Sequence, residues 1–561
     1  MGPASSSCEL LALFIYVLGC VEGLGDAEQF PSVATPSGRI VGSLMMSRRG
    51  RPIHAYRAIR FAQAPVGELR FRPPLLITEY DAEVNATEEG PACPQDADPG
   101  YFLDEDCLRL NVYSPGDRNG PSLLPVLVYI HAGGWYSGSG RSDVAGPHYL
   151  LDKDLLLVTI NYRLGSLGFL STGDVEAPGN NGFKDQVAAL RWVKRNIASF
   201  GGDPNIVTIA GYSAGSMSVA LHLVSPMSEG LFHRAIAMSG SPYSQVPLKQ
   251  DLLLLASRQA RLMDCPETST RELVACLRTV PWRKLGDSLR GFRDFSIDPI
   301  LIWTPVVEGD FGQERFLLED PMLSMRELRV KPVPFIVSQT RDEFFWEAFL
   351  VLNNPIYTSL MNSEWERVSP LAFLLPSPSD RAASVLRDFY LMNRTLSNKT
   401  EDARDLGTLY GDGVIGFGVH RLANILSHLY WNSTYRFVFD YIGNRSHYED
   451  PRTGKPVGVA HHDELIYLFS LRVAFEDIPP SGSQDSAMVD KLTTIMYNFA
   501  LNGDPNPLFG EVAPAWDAFS PHTKMHLSVS QDYSIGRNYS ENRYNAWEQL
   551  YPFDYSSLVN P

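Results

Sequence analysis

The chain has 561 residues, 44% of them hydrophobic and 20% charged, and its 48 Lys and Arg against 64 Asp and Glu give a formal net charge of −16. That is globular composition, long enough to bury a large core and still enclose a deep pocket. The acidic balance excludes a nucleic-acid binder, which needs clustered positive charge for phosphate, and suits a protein that draws in neutral or cationic ligands.

Near the N-terminus an apolar run from Leu10 to Leu18 is followed by the small residues Gly19, Cys20, Gly23 and Gly25. The run is too short to span a bilayer and has the length of a signal-peptide core, so residues 1–24 are expected to be cleaved on export. No later stretch approaches the ~20 consecutive apolar residues of a membrane helix. The C-terminal Tyr555-Ser-Ser-Leu-Val-Asn-Pro561 is neither a retention signal nor a lipid-anchor tail, so the expected product is secreted, with no stable membrane anchor. Cys8 and Cys20 leave with the signal. Cys93, Cys107, Cys265 and Cys276 remain, and four cysteines permit about three connectivities, of which local pairing closes two short loops. Asn-x-Ser/Thr acceptors at Asn85, Asn393, Asn398, Asn432, Asn444 and Asn538 agree with the secretory route.

Residues 25–561 contain no repeat, heptad run or low-complexity linker and are expected to form one large domain. Leu124–Ile130 is a short apolar run rich in β-formers, the pattern of a buried parallel strand, and Asp154–Asn161 is a second. The Gly-rich turn His131-Ala-Gly-Gly-Trp135 lies between them. Asp185–Ile197 has helical spacing, with Val187, Leu190, Val193 and Ile197 on one side. A strand over Ile206–Ala210 then runs into Gly211-Tyr-Ser-Ala-Gly215 and a helix over Ser216–Leu223. Pro334–Ser338 and Tyr435–Tyr441 complete the strands. Strand, helix, strand, tight turn and helix in this order predict an α/β protein with a parallel sheet and crossover helices.

Gly-x-Ser-x-Gly between a strand and a helix makes Ser213 the candidate nucleophile. The strained turn lifts its hydroxyl above the sheet and near the N–H groups of a helix start. A serine hydroxyl needs a base and a pocket for developing negative charge. The N–H groups of Gly133 and Gly134, with that of Ala214, supply three candidate oxyanion donors. The base must be one of 12 histidines, and the pair His461-His462 after a Gly-rich loop late in the chain is the best placed. A metal site competes there, but His-Glu-x-x-His spacing is absent, and no metal or organic cofactor is expected. A carboxylate between nucleophile and base completes the set, and Arg341-Asp342-Glu343, just after a strand, offers it.

These residues resemble the type-B carboxylesterases, the cholinesterase-like branch of the α/β-hydrolases. The likeness spans nearly the whole mature chain: Ala64–Pro74, Glu105–Tyr113, Asn161–Gly165, Phe200–Pro204 and Leu231–Ser241 are similar to family blocks. The elbow and the last block look like arthropod members. The resemblance implies an α/β-hydrolase fold, a large mostly parallel central sheet flanked by helices. It implies Ser213, Glu343 and His461 as nucleophile, acid and base, with Gly133, Gly134 and Ala214 at the oxyanion. His461 is preferred over His462 because the family's base lies three positions before the acid of its Glu-Leu pair, here Glu464. The same resemblance implies the disulfides Cys93–Cys107 and Cys265–Cys276. The implied activity is serine carboxylesterase, hydrolysing a small-molecule carboxylic ester through an acyl-enzyme. The alternative is a non-catalytic adhesion or ligand-binding ectodomain on the same fold.

The chain departs from the family at several positions. Phe344 stands where the family has glycine after the acid, so a positive φ there would strain it. Ser338 replaces an upstream glycine, and Ala132 replaces a glycine that is not a donor. Tyr212 replaces a frequent Glu and is expected to wall the nucleophile with an aromatic ring. Between Cys93 and Cys107 stand Tyr101 and Phe102 but no Trp, which argues against acetylcholine, and the short loop argues against a lipase lid.

Overall fold

The computed structural model describes residues 30–117, 120–246, 248, 252–430, 433–450, 453–507 and 516–558. The expected signal peptide, with Cys8 and Cys20, and the acceptor Asn432 lie outside the described residues.

Eleven strands form one mixed sheet. Its centre is a parallel block in the spatial order Met525–Val529, Thr434–Phe439, Phe335–Thr340, Arg234–Met238, Gly202–Tyr212, Leu124–Ile130 and Leu156–Ile160. Antiparallel strands close both margins: Tyr533–Arg537 on one side, and Arg109–Pro115, Pro52–Arg60 and Ser43–Met46 on the other. The central strands are continuous apolar runs because both faces are covered. Val126, Val128 and Ile130 enter one core with the helices Asn181–Asn196, Ala214–His222 and Phe417–Leu429, whereas Leu127 and Tyr129 enter a second core with the helix Gln484–Asn502. Alternation of period two along each strand produces this division.

The order of connection positions the site. From Leu124–Ile130 the chain passes to Leu156–Ile160 on one side, then returns across to Gly202–Tyr212 on the other. Winding therefore reverses between Leu124–Ile130 and Gly202–Tyr212, which pair in parallel with Ile130 opposite Gly211. A crevice opens at the carboxyl ends of strands at such a reversal. Both Gly-rich turns leave the sheet there.

The bonds Cys93–Cys107 and Cys265–Cys276 are formed, as the family resemblance implies. Among the described residues no helix is long and apolar enough to cross a membrane.

Candidate active site

Ser213 sits between the strand Gly202–Tyr212 and the helix Ala214–His222 at φ 54° and ψ −119°. Its N–H donates to Met238 O at 2.9 Å and its carbonyl accepts from Met217 N at 2.9 Å, so both sides of the turn are pinned. The flanking glycines are steric necessities. A Cβ on Gly211 would lie 2.2 Å from Gly215 O, and one on Gly215 would lie 2.1 Å from Ile130 O. Strand and helix can approach this closely only without side chains there.

The turn after Leu124–Ile130 folds over the same point. Gly133 O accepts from Tyr136 N and Ser137 N, both at 2.9 Å, and Gly133 and Gly134 have φ of 112° and 57°. Trp135 anchors the turn through Nε1–H to Ser218 Oγ at 3.0 Å, and Ser218 belongs to the helix that follows Ser213. Among the described residues no protein acceptor takes the N–H of Gly133, Gly134 or Ala214. Unpaired N–H groups on two adjoining turns are what an oxyanion would need.

Glu343 follows the strand Phe335–Thr340, and its Oε1 accepts from Thr340 N at 2.8 Å. Its Oε2 lies 2.5 Å from His461 Nδ1, with both side chains buried. Burial pushes the Glu343 carboxyl up to about 7 and the His461 imidazole well below its ordinary value, so the ring is neutral at physiological pH. Among the described residues His461 Nε2 has no hydrogen-bonding partner. The ring is thus oriented through one nitrogen and open at the other.

Phe344 does adopt the positive φ, 49°, expected of a family glycine. Its ring packs on His461 with centroids 4.4 Å apart and on Trp346 at 5.7 Å, so the hydrogen bond between Glu343 and His461 forms despite the strained residue between strand and helix.

Tyr212 requires a correction. Fully buried in the second core, it is no open wall beside the nucleophile but packs behind the base, its ring 5.0 Å from that of His461 and 4.8 Å from that of His462. Its hydroxyl donates to Glu464 Oε2 at 2.8 Å and accepts from His462 N at 2.8 Å. Strand alternation contains the reason, since Ala210 and Tyr212 share one face while Ile209 faces the other core. His462, at φ 83°, is thereby tied through its N–H to Tyr212, at the end of the strand that leads into the nucleophile. Sequence reasoning placed Asp342 beside the acid but missed what it does. Its N–H donates to Val459 O at 3.1 Å and its Oδ2 accepts from Val459 N at 2.9 Å, tying the Glu343 loop to the His461 loop. Asp463 closes the latter loop by accepting from Ala460 N at 2.8 Å. The only sequence signal for either was an acidic residue beside a candidate.

In the Cys93–Cys107 loop the Tyr101 ring already carries a cation of the protein's own, the Arg141 guanidinium at 5.2 Å, and Phe102 is exposed.

Sheet, winding reversal and elbow define an α/β-hydrolase. The model of the carboxylesterase family matches residues 29–547. The juvenile hormone esterase of Tribolium castaneum is 36% identical over 498 residues, covering 85% of this chain and 84% of that protein. A carboxylic ester hydrolase of Bombus ignitus is 32% identical over 564 residues, covering 97% and 98%. The crystal structure of juvenile hormone esterase from Manduca sexta, with OTFP covalently attached, matches with a TM-score of 0.81 at 27% identity, covering 94% of this chain and 100% of that one. The chain belongs to the carboxylesterase family and is a carboxylic ester hydrolase.

Proposed function

We propose that the chain is a secreted serine carboxylesterase working through Ser213, His461 and Glu343. The observation that carries this reading is the His461 ring, held at Nδ1 by Glu343 at 2.5 Å, open at Nε2, and 5.0 Å from the ring of Tyr212, the residue before Ser213. His461 Nε2 takes the Ser213 proton as Oγ attacks the ester carbonyl, and the N–H groups of Gly133, Gly134 and Ala214 hold the oxyanion. The imidazolium, stabilised by Glu343, then protonates the leaving alcohol. Water attacks the acyl-enzyme with His461 again as base.

Residues 25–561 act as one domain in this reading, with residues 1–24 removed on export. Asn85, Asn393, Asn398, Asn444 and Asn538 are exposed, as glycan acceptors must be. The non-catalytic alternative would be favoured by a misplaced acid, and the bond between Glu343 and His461 weighs against it.

A short-chain chromogenic ester tests the proposal, with and without an organophosphate that phosphorylates activated serines. Hydrolysis abolished by one adduct on Ser213, and lowered roughly 10⁴-fold or more in S213A, is the expected result. Unchanged turnover in S213A would overturn it.

A further inference from the structure

Two buried carboxyl groups beside the crevice have no part in the ester cleavage just described. Asp298 and Glu347 are each 1% exposed. Glu347 lies in the helix Trp346–Leu352, and its N–H donates to Phe344 O at 3.1 Å, so it follows directly on the residue packed against His461. Among the described residues neither Glu347 oxygen has a hydrogen-bonding partner. Asp298 has one side-chain partner, the Tyr410 hydroxyl, which donates to Oδ2 at 3.1 Å. Burial pushes both carboxyl groups up, the neighbouring Asp298 adds to the rise at Glu347, and Arg293 is within electrostatic reach of both. Arg293 makes no hydrogen bond or ion pair with either, and it is one positive charge against two carboxyl groups.

The link to the reaction centre is Tyr136. A Cβ on Gly134 would fall 2.3 Å from Tyr136 Cε1, so the ring lies against an oxyanion glycine. The other end of Tyr136 is in the field of Arg293, Glu347 and Asp298. A two-residue step along the oxyanion turn thus reaches from the expected carbonyl position to the acidic pair.

A buried carboxyl with both oxygens unpaired is costly and rare unless something else satisfies it. Rearrangement within the protein is poorly placed to satisfy both oxygens: Tyr410 is already committed to Asp298, the neighbouring Tyr136 hydroxyl has one proton to give, and Arg293 binds neither group. A ligand group that both donates hydrogen bonds and carries positive charge meets both needs. We propose that Glu347 and Asp298 form a specificity subsite for an ammonium-bearing part of the ester substrate. The N–H groups of a primary ammonium find carboxylate oxygens, and its charge favours the ionised form that burial disfavours. A quaternary ammonium, with no N–H, gains little here. The overall charge of −16 favours the approach of such a cation. This subsite rests on the esterase reading, since it discriminates among esters turned over at Ser213.

Matched esters that differ only in a terminal ammonium or methyl group provide the test. One pair, nitrophenyl aminohexanoate and nitrophenyl heptanoate, places the group on the acyl chain. The other, aminopentyl acetate and hexyl acetate, places it on the alcohol. In one pair or the other, kcat/KM should favour the ammonium ester by about tenfold or more, the worth of a charge-assisted hydrogen bond. E347Q and D298N should each collapse that ratio by a similar factor. The ratio is internal to each variant, so a variant with fewer folded sites still reports it, and organophosphate labelling of Ser213 counts those sites. A wild-type ratio favouring the methyl ester in both pairs, or ratios untouched by both substitutions, would overturn the subsite while leaving the esterase intact. Failure to hydrolyse any of the four esters, with no label on Ser213, would remove the esterase reading and the subsite together.

Discussion

Phe344 sets two effects against each other within one residue. Left-handed backbone costs an L-residue about 1–2 kcal/mol, and Phe344 sits there at φ 49°. Its ring, 6% exposed and packed on His461 and Trp346, returns about 1.5–3 kcal/mol of burial. Burial therefore offsets the strain. Truncation to alanine loses the ring and keeps the strain, whereas glycine loses the ring and relieves it. F344G should thus be more stable than F344A by about 1 kcal/mol, the reverse of the order in a helix. Urea midpoints at a shared slope measure this, and equal midpoints would mean that the loop has no conformational preference at this position. Protonation of the neighbouring acid gives a second prediction. Burial holds the His461 imidazole well below its ordinary value and pushes the Glu343 carboxyl up to about 7. Stabilising the imidazolium requires the ionised carboxylate, so kcat/KM should fall as pH drops through about 7 and level off above it, as a property of the coupled pair. E343Q should lower kcat/KM by roughly 10³- to 10⁴-fold and abolish that limb. A wild-type rate constant between about pH 5 and pH 8 would refute the assignment.

At the scale of elements, the helix Thr400–Gly411 backs the acid loop through two glycines. A Cβ on Gly407 would meet Phe345 O at 3.0 Å, and one on Gly411 would meet Glu343 O at 2.3 Å. A π-helical turn, Asp412–Gly416, follows at once, and Asp412 accepts there from Tyr390 Oη at 2.7 Å and Arg543 Nε at 2.6 Å. These bonds keep the helix from backing away, so G411A should displace Glu343 instead. Misplacement of a reacting group by about 1 Å costs roughly 100-fold in rate, so a loss of about 10- to 100-fold in kcat per labelled site is expected. G407A, with a looser contact, should lose less. Full activity in G411A would show that the helix yields at no cost. None of this was legible in the sequence, where Gly407 and Gly411 look like helix-weakening residues. The strands were more legible. Leu124–Ile130 was read with its observed limits, because apolar β-formers are bounded there by turn residues. The neighbouring strand begins at Gly202 instead of Ile206 because Gly202 pairs with Leu124 ahead of a register shift, although Gly-Asp-Pro-Asn carries turn chemistry. The helix begins at Asn181 instead of Asp185 for a similar reason. Lys184 has no place in an apolar stripe, yet it is buried against Glu308, a partner distant in sequence. Local pattern reports local constraint, and long-range pairing moves the boundary.

Across the whole molecule, the residues in local motifs were legible: the elbow, the glycine turn, the histidine loop and both cysteine pairs. What stayed hidden depends on elements far apart in sequence meeting in space: Tyr212 under His462, Asp342 on Val459, and Asp298 with Glu347. The disulfides join the two levels, and their burial differs. Cys93, Cys107 and Cys265 all lie in the main core, but Cys93 and Cys107 are 1% and 0% exposed whereas Cys265 is 7% exposed and its partner Cys276 only partly buried. Thiol–disulfide exchange needs access to sulfur, so a mild reductant followed by alkylation should label Cys265 and Cys276 before Cys93 and Cys107. The consequences for activity should differ as well. Cys265–Cys276 closes a peripheral loop between the helices Leu253–Leu262 and Thr270–Thr279. Cys93–Cys107 holds Gln95, whose Nε2 donates to Gly138 O at 2.9 Å and whose Oε1 accepts from Gly138 N at 2.7 Å, at the end of the turn that carries Gly133 and Gly134. Opening the first bond should leave turnover nearly intact, and opening the second should release the oxyanion turn and abolish it. Peptide mass mapping of the alkylated protein, sampled alongside ester hydrolysis, separates the two events. Simultaneous labelling of all four cysteines would mean that the Cys93–Cys107 loop opens as readily as the periphery. Loss of activity with Cys265 and Cys276 alone would mean that the peripheral loop, and not Gln95, governs the turn.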